Sequence, residues 1–514
     1  MKKQSLIKGT LILGVAGIIA KFLGLFFRWP LIMLIGDEGV GYYQISYPLY
    51  MFFIAVASGI PIAMSKMISE RNAVSDRDGI ILILRKGLLL IFIFGGSFTF
   101  FMITFSRQLI SLLKWDQKSY YSLIAIALAP IFISIMSAFR GFFQGLQYMT
   151  PTAVSQIIEQ LGRVIVGIGL VVLLLPRGIE FAAGGAAFGA VAGGIFAAIY
   201  LILKYLKIRK EFSFKKTKDS KNVLGKLLYI AIPISMGAAV GTIMSLIDSV
   251  IVPQRLLEAG FTSKDTLILY GQLTGKAFIL INVPLTLSMA LCASLVPIIA
   301  EAFILHRRLE VISKVEMAIK FSAVIALPSL CGLYFMSYPI LNLLFPGHAD
   351  GYTILKYLAL CIPFIVLAQT TTAILQGIGK YLTPVRNILF GCILKITITL
   401  VLVKIPQVNI YGAVIGTITG YIVASILNLI SLKKYLNFSL NYYDTMIKPA
   451  YASILMIISV VFIYMNVYNY TKINSISLLI SIASGVIIYI LFIVIFGVFD
   501  YKFIKSKLIK STKK

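Results

Sequence analysis

Long apolar stretches alternate with short polar connections along the entire chain. The stretches have about 20 residues each, enough for an α-helix to cross the roughly 30 Å hydrocarbon core of a bilayer. Because backbone polar groups in lipid must pair within the protein, stretches of this length favour helices over barrel strands. The pattern predicts about fourteen transmembrane helices, near residues 7–28, 40–64, 84–106, 120–143, 152–175, 181–204, 226–250, 267–300, 318–338, 353–377, 385–404, 411–432, 449–467 and 474–498.

The polar connections differ in charge between the two sides of the predicted membrane. Connections after even-numbered helices are rich in Lys and Arg, most clearly between Lys204 and Lys226, and the C-terminal tail is also basic. Connections after odd-numbered helices carry few cations, and the first of them holds Asp37 and Glu38. Since cytoplasmic loops are enriched in Lys and Arg, the pattern predicts a multi-pass protein of the cell membrane with both termini in the cytoplasm.

Composition supports this assignment and narrows the function. Hydrophobic residues make up 59% of the 514 residues and charged residues 13%, and the mean hydropathy is +0.95. Soluble domains have about 25% charged residues. Although the formal net charge is +28, the cations lie in short connections. We therefore interpret them as orientation signals and predict no nucleic-acid partner.

The sequence contains no pattern typical of an enzyme or a metal site. The four cysteines all lie in apolar stretches without paired spacing, and His306 and His348 are isolated in separate connections. A phosphate-binding glycine loop, a nucleophile motif and a catalytic carboxylate pair are also missing. We therefore expect no metal, no cofactor and no enzymatic activity.

Four motifs of the first half recur in order in the second half, at a nearly constant offset. The pairs are Ala57-Ser58-x-x-Pro61-Ile62 with Ala293-Ser294-x-x-Pro297-Ile298, Pro130 with Pro363, Gln144-Gly145 with Gln376-Gly377, and Tyr148–Pro151 with Tyr381–Pro384. Each half holds six helices, so the halves are predicted to be parallel repeats, as in several transporter folds. The predicted domains are an N-terminal six-helix lobe (1–220), a C-terminal six-helix lobe (221–440), and a segment (441–514) with two further helices and the basic tail.

Small residues predict close helix packing in the sixth helix. Gly184-Gly185 and Gly193-Gly194 lie there among alanines. Small residues on one face allow the backbones of neighbouring helices to approach each other. We therefore expect tight contact between the sixth helix and a neighbour.

Several charged residues fall inside the predicted spans, where each costs roughly 2.5–3.5 kcal/mol unless it has a partner, a cavity or an exit to the interface. Lys21 and Arg28 are seven residues apart and share a face of the first helix. Arg163 and Lys395 occupy nearly matching places in the two halves, and Lys276 lies about three turns into the eighth helix. Because cations outnumber acids, these residues predict a cationic, water-filled cavity between the halves that suits an anionic substrate.

Two carboxylates lie near this predicted cavity. Glu159 precedes Arg163 by four residues on the fifth helix, so it can form a structural ion pair with that arginine or take part in ion coupling. Asp248 is close to the outer end of the seventh helix, where, like Arg28, it can alternatively extend to the lipid headgroups. Arg140, near the cytoplasmic end of the fourth helix, is also expected to reach the interface.

Several segments resemble the stage V sporulation protein B family. They are Gly9–Ile12, Gly24–Arg28, Gly36–Gly41, Arg140–Gly145, Pro151–Gln156, Glu159-Gln160, Gly271–Lys276, Leu295–Pro297 and Gln376-Gly377. The resemblance covers residues 5–435, and the last two helices match only in number and hydrophobicity. This family belongs to the multidrug/oligosaccharidyl-lipid/polysaccharide (MOP) flippase superfamily and is close to the MurJ-type lipid II flippases.

The resemblance implies a MATE/MurJ-like fold of fourteen helices in two lobes, and export of an undecaprenyl-pyrophosphate-linked sugar precursor of peptidoglycan. In MurJ-type flippases, arginines on the first, second and eighth helices line a cationic cavity for the pyrophosphate, and the last two helices form a groove for the lipid tail. Lys21 and Arg28 approximately match the first-helix positions, and Lys276 falls close to the eighth-helix position. The second helix of this chain has no basic residue in its span.

The predicted function is therefore flipping of a lipid-linked cell-wall precursor, with lipid II as the first candidate, by alternating access. The predicted substrate-binding residues are Lys21, Arg28, Arg163, Lys276 and Lys395, and Glu159 and Asp248 are candidates for an ion pair or for coupling. The expected partners are the lipid-linked oligosaccharide, membrane lipids and cell-wall synthesis enzymes. The alternatives are a cation-coupled multidrug exporter of the same superfamily, an exporter of another polysaccharide lipid, and a scaffold for wall synthesis without transport.

Overall fold

The structure is a computed structural model that describes residues 6–209, 222–437 and 440–498. Regular structure within these ranges is helical throughout, and no β-strand occurs among the described residues. The predicted all-α class is confirmed. Most of the basic connection between Lys204 and Lys226, and the basic tail after residue 498, lie outside the described residues.

The chain forms two compact units, Met1–Gly271 and Gln272–Lys514. The first unit includes the seventh predicted helix, which packs against the N-terminal helices. Gly59 shows this contact, because a Cβ atom at that position would collide with the carbonyl oxygen of Ala231. The boundary predicted near residue 220 differs from the division between these two units, and it stays a prediction.

Among its described residues, the first unit contains ten α-helices and two short 3₁₀ turns, Gln117–Ser119 and Leu175–Arg177. The helices are α1 Leu6–Ala57, α2 Gly59–Ala73, α3 Arg77–Thr104, α4 Ser106–Leu112, α5 Tyr120–Ala127, α6 Ala129–Gly145, α7 Met149–Leu174, α8 Ile179–Ile208, α9 Val223–Glu258 and α10 Ser263–Gly271. Helix α1 bends at Gly36, where φ is 61° and ψ is −170°. Glycine adopts this conformation without steric cost, and the bend separates the first two predicted helices.

In the part of the second unit that the structure describes there are nine α-helices, with π-helical turns before α11 and α18 and a 3₁₀ turn at Ala359–Cys361. The helices are α11 Phe278–Ile304, α12 Arg308–Phe335, α13 Ser337–Leu344, α14 Tyr352–Leu358, α15 Ile362–Gly377, α16 Leu382–Leu402, α17 Tyr411–Leu436, α18 Lys448–Thr471 and α19 Asn474–Ile495. The C-terminal pair α18 and α19 lies against α12 and α13. Tyr489 donates a hydrogen bond to the Val324 carbonyl at 2.9 Å, and Asn474 donates to the Pro339 carbonyl at 3.1 Å.

The two units share irregular features at matching places in the sequence repeat. In the first unit the helix predicted at 120–143 is interrupted between α5 and α6, and Pro130 lies in the first turn of α6. The helix predicted at 353–377 is interrupted between α14 and α15, where Pro363 has the same position. A proline fits a first helical turn because its missing N–H would have no partner there. Short helices, α4 and α13, also follow the third helix of each repeat.

Glycines on α8 bring this helix close to α7. A Cβ atom at Gly189 would lie 2.8 Å from the Arg163 carbonyl oxygen, and one at Gly193 would collide with the Glu159 carbonyl oxygen. Since neither approach is compatible with a larger residue, the predicted close packing of the sixth helix is confirmed. This contact fixes the backbone of α7 at Glu159 and Arg163.

The second unit repeats this arrangement between α17 and α16. A Cβ atom at Gly416 would lie 3.1 Å from the Lys395 carbonyl oxygen, and one at Gly420 would collide with the Gly391 carbonyl oxygen. The Gly416 contact with Lys395 thus corresponds to the Gly189 contact with Arg163. Two cationic residues, Arg163 and Lys395, therefore occupy equivalent positions in the two helix pairs.

Twelve helical segments are long and apolar enough to cross a membrane among the described residues. One of them, Ile12–Ala73, has 62 residues, which as a straight helix would measure about 93 Å, or about three bilayer cores. The bend at Gly36 lies within this segment. Helix α9 is represented only by a shorter apolar stretch, Val223–Met236. The count of fourteen helices stays a prediction.

Candidate functional site

Three tyrosines form a ladder on the part of α1 that follows Gly36. Tyr43, Tyr47 and Tyr50 are spaced by four and three residues, so they share one helix face. Their ring centroids are 5.6 Å apart between Tyr43 and Tyr47 and 5.4 Å apart between Tyr47 and Tyr50. Tyr43 and Tyr50 are buried. The ladder therefore presents its face to other side chains of the first unit.

Arg28 lies against one end of this ladder. Its guanidinium carbon is 5.0 Å from the centroid of the Tyr43 ring, a cation–π distance. Its Nη2 donates a long hydrogen bond of 3.4 Å to Oε1 of Gln44. Its Nη1 is buried and has no hydrogen-bond partner within the described parts of the chain. Arg28 thus packs inside the unit, and the alternative that it extends to the headgroups does not describe its position.

Arg163 lies at the middle of the ladder. Its Nη1 donates to the hydroxyl oxygen of Tyr47 at 3.3 Å, and its side chain is only 11% exposed. Its Nη2 is 3.9 Å from Oε1 of Glu159, one helical turn earlier. Its Nε, like Nη1 of Arg28, is buried without a hydrogen-bond partner among the residues that the structure describes.

Glu159 lies between two arginines. Its Oε2 is 2.9 Å from Nη2 of Arg140, and Nε of Arg140 donates to the Ser155 hydroxyl at 2.8 Å. The ion pair predicted with Arg163 is present, but the contact with Arg140 is shorter. The expectation that Arg140 reaches the membrane interface stays a prediction. In the structure, Glu159 and Ser155 hold its guanidinium group between α6 and α7.

This group of residues, called here the arginine–tyrosine cluster, comprises Arg28, Tyr43, Tyr47, Arg140, Glu159 and Arg163. Arg140 and Arg163 share the carboxylate of Glu159. With the third guanidinium group, that of Arg28, the cluster has an excess of positive charge. Side chains of the ion pairs are 11–16% exposed, and at such positions charges interact more strongly than they do in bulk water. The cluster can therefore attract an anion and offer it hydrogen-bond donors.

Lys21 lies seven residues before Arg28 on α1, and its side chain is exposed. The spacing of almost two turns places it on the same helix face as Arg28. It is therefore a more accessible cation than the buried members of the cluster.

Lys276 has a different environment, in the π-helical turn Gln272–Ala277. It is 1% exposed, and its Nζ donates to the carbonyl oxygens of His348 and Asp350 at 2.7 and 3.1 Å. In the sequence, no obvious partner for Lys276 lies within its own helix. These two acceptors could not be found from spacing, because they are backbone carbonyl groups of a loop about 70 residues later.

Lys395 and Asp248 are also buried, at 1% and 3% exposure. Lys395 lies on α16, where its stem packs at Gly420 of α17. Asp248 lies on α9, next to Ser249, whose carbonyl oxygen accepts a hydrogen bond of 2.8 Å from Nε1 of Trp115. Asp248 is therefore buried within the protein and does not extend to the headgroups.

Two features of the cluster were missed in the sequence. The spacing of Tyr43, Tyr47 and Tyr50 is a helical pattern that could have been recognised. The pairing of Arg140 with Glu159 could not, because these residues lie on different helices. Within the described parts of the chain, no group of three or more His, Cys, Asp and Glu side chains is placed to hold a metal ion.

Comparison with known proteins identifies relatives over most of the chain. Residues 6–303 match the family model described as polysaccharide biosynthesis protein. The chain is 30% identical to stage V sporulation protein B of Bacillus subtilis over 450 residues, which cover 86% of both chains. It is 26% identical to the lipid II flippase MurJ of the same organism, over 85% of this chain and 84% of the relative.

Two solved structures share the fold. The lipid II flippase MurJ in an inward closed conformation superposes with a TM-score of 0.72 and 17% identity, covering 95% of this chain and 98% of the other. An inward-facing MATE multidrug transporter of the MOP superfamily superposes with a TM-score of 0.70 and 15% identity, covering 84% and 98%. The predicted MATE/MurJ-like fold is confirmed.

Proposed function

Because the chain belongs to the polysaccharide biosynthesis protein family, we propose that it flips a lipid-linked, pyrophosphate-bearing cell-wall precursor. It is a membrane transporter of the MOP superfamily rather than an enzyme. Lipid II is the first candidate, since a relative of 26% identity carries the name lipid II flippase. The substrate would move from the cytoplasmic to the outer leaflet by alternating access. Its partners would be membrane lipids and the enzymes that synthesise the precursor.

The observation that carries this proposal is the pair of unsatisfied donors in the arginine–tyrosine cluster. Arg28 and Arg163 each have one buried guanidinium nitrogen without a hydrogen-bond partner among the described residues. Buried donors are rarely left unpaired. Phosphate oxygens would satisfy both, and the planar guanidinium group suits bidentate binding of phosphate.

The charges of the cluster also favour such a ligand. Glu159 compensates one of three guanidinium groups, which leaves positive charge to balance an anion. A pyrophosphate bears negative charge on both of its phosphate groups, so it fits this excess better than a neutral sugar or a cationic drug. Tyr43 and Tyr47 hold Arg28 and Arg163 by a ring face and a hydroxyl group, which limits the reorganisation that binding would need.

The other predicted cations have less direct support. Lys21 shares a helix face with Arg28 and would extend the cationic surface. Lys276 and Lys395 stay candidates in the second unit, but the ammonium group of Lys276 is hydrogen-bonded to two carbonyl oxygens. For Lys276 to bind substrate, the loop at residues 348–350 would have to release it.

The proposed topology has fourteen helices with both termini in the cytoplasm. The bend at Gly36 supports counting Ile12–Ala73 as two spans, and the length of α9 supports counting that helix as one more. The basic connections support the orientation.

A cation-coupled multidrug exporter remains the second candidate, because the MATE fold is shared. Such an exporter needs a buried carboxylate that can bind a proton, Na⁺ or a cationic drug. Glu159 is held by two arginines and is therefore poorly suited to this role. The remaining candidate is Asp248, which is buried in α9. Drug resistance that disappears in Asp248→Asn, at unchanged protein level, would favour the exporter.

The direct test is flipping of fluorescent lipid II by the purified protein in liposomes. Arg28→Gln and Arg163→Gln should each reduce flipping at least about tenfold, since a hydrogen bond to a charged group contributes roughly 1.5–3 kcal/mol. Arg107→Gln is a matched control, because Arg107 also lies over a tyrosine ring, at 5.8 Å from Tyr120, but is exposed on α4. It should flip normally.

Normal flipping by a folded Arg28→Gln/Arg163→Gln double variant would contradict the role of the cluster. If the wild type does not flip lipid II but flips another sugar linked to a polyprenyl pyrophosphate, the proposed mechanism still holds and the substrate is that other lipid.

A further inference from the structure

A basic cavity of about 480 Å³ lies in the second unit, and none of the residues proposed above for the substrate lines it. It is formed where the end of α11 and the start of α12 meet the end of α17. His306, Arg307 and Arg308 line one side of it, and Tyr435 and Asn437 line the other. The cavity is therefore located at the ends of membrane-spanning helices rather than in their middle.

The cations of this cavity are only partly compensated. Nη2 of Arg308 donates to the carbonyl oxygens of Leu436 and Asn437 at 3.3 and 3.2 Å, which fixes the wall of the cavity. Arg307 is 3.5 Å from Glu310, and its side chain is 61% exposed. Glu310 is the one carboxylate that the described residues show in contact with these cations, and its partner is Arg307. Further cations lie nearby on α17 and before α16: Lys433, Lys434 and Lys380.

The related region of the first unit is neutralised by its own ion pairs. His306 lies 12 residues after Ser294, as Glu70 lies 12 residues after the matching Ser58. Glu70 is 3.1 Å from Lys226, and Arg71 is 2.8 Å from Asp76. The cavity there is about 90 Å³. The described residues of this region, on α2, α3 and the start of α9, thus enclose a smaller cavity whose charges are paired.

Aromatic side chains at the cavity favour a ligand that is both anionic and lipidic. Phe303 and Tyr435 line it and are 41% and 42% exposed. Nζ of Lys380 is 5.0 Å from the centroid of the Tyr435 ring. Aromatic side chains at the ends of spanning helices lie at the level of lipid headgroups, and basic pockets between such helices bind anionic headgroups.

We propose that this cavity binds the phosphate group of an anionic phospholipid, with His306 and Arg307 as donors and Phe303 and Tyr435 against the glycerol and the first acyl carbons. Inorganic phosphate offers the same oxygens but no acyl chains, so the aromatic side chains would add nothing to its binding. The site does not depend on the identity of the flipped substrate. Only its leaflet, the cytoplasmic one, follows from the proposed topology.

The experiment measures binding of phosphatidylglycerol to the purified full-length protein in a neutral detergent, with phosphatidylcholine and inorganic phosphate as comparison ligands. Arg307→Gln should weaken phosphatidylglycerol binding about fivefold, because each basic residue near an anionic headgroup contributes about 1 kcal/mol. Arg307→Lys should keep most of the affinity. Lys226→Gln removes one charge from the related region of the first unit and should leave the affinity unchanged.

If Arg307→Gln and Lys226→Gln weaken phosphatidylglycerol binding equally, the effect is general electrostatic attraction and the proposed site is contradicted. Binding of phosphatidylcholine as tight as that of phosphatidylglycerol would also overturn it, and so would inorganic phosphate that binds as tightly as the lipid. Because Arg307 is an exposed side chain, both variants should remain folded. Wild-type flipping of lipid II has no bearing on these outcomes.

Discussion

Glu159 holds the arginine–tyrosine cluster together. Its two oxygens contact guanidinium groups from different helices, Arg140 on α6 and Arg163 on α7. A single carboxylate between two partly buried cations is costly to remove, because the remaining charges repel each other and lose their partner. Its position is thus better explained by structure than by ion coupling.

We therefore expect Glu159→Gln to destabilise the protein by about 3 kcal/mol. Thermal unfolding of the purified variant measures this loss of stability. The dependence of transport on ions should not change. The double variant Glu159→Gln/Arg163→Gln should be less destabilised than the sum of the single variants, since the pair interacts. Additive effects, or a stable Glu159→Gln variant whose transport no longer depends on the ion gradient, would contradict this interpretation.

Substitution of Lys276 can show whether this lysine stabilises the fold or binds the substrate. Lys276→Met would leave the carbonyl oxygens of His348 and Asp350 without their donor, at a cost of roughly 1–3 kcal/mol. The unfolding temperature should fall, whereas the exposed Lys404→Met in the same unit should leave it unchanged. If Lys276→Met unfolds like the wild type but no longer flips lipid II, the lysine acts on the substrate.

Helix packing can be tested with glycines on α7 and α8. At Gly193 a Cβ atom would collide with the Glu159 carbonyl oxygen, whereas at Gly169 nothing lies within 4 Å. Gly193→Ala should therefore separate α8 from α7 and lower stability by about 1–3 kcal/mol. Gly169→Ala should raise stability by about 0.4–1 kcal/mol, because alanine restricts the unfolded chain. Urea unfolding of both variants measures the contrast, and equal effects would contradict the close packing.

The sequence predicted long helices well and their irregularities poorly. Apolar length alone identified α3, α7, α8, α16 and α17, because a bilayer imposes a minimum span. It did not identify α4 and α13, since seven or eight residues give no spanning signal. The π-helical turn at Gln272–Ala277 was also missed, because it depends on contacts that Lys276 makes with a distant loop.

Prediction of the candidate site was limited for a similar reason. Arg163, Glu159 and Arg28 were found because a charge inside an apolar stretch is conspicuous in the sequence. Their contacts with Arg140 and Tyr47 were not predicted, because side chains that meet across helices have no fixed spacing in the sequence. Interactions within one helix can be read from the sequence, and interactions between helices need the structure.

The orientation of the entire protein in the membrane is a prediction from charge. Cysteines introduced at Ser213 and Ser511, which lie outside the described residues, should be protected from an impermeant thiol reagent in intact cells. A cysteine at Thr262, between α9 and α10, should be labelled. Because the native cysteines lie in apolar stretches, their background should be low. Labelling of Ser511→Cys from outside would rule out a model with both termini in the cytoplasm.

The membrane potential should drive flipping if the substrate carries its charge outward. A charge gains about 2.3 kcal/mol per 100 mV, so a pyrophosphate with about two negative charges gains roughly 7 kcal/mol across about 150 mV. The sign follows from the polarity of the cell, since an inside-negative potential expels an anion. In liposomes with a valinomycin potassium potential, lipid II flipping toward the positive side should accelerate, and reversal of the potential should slow it. Equal rates at both polarities would contradict a net outward movement of negative charge with the substrate.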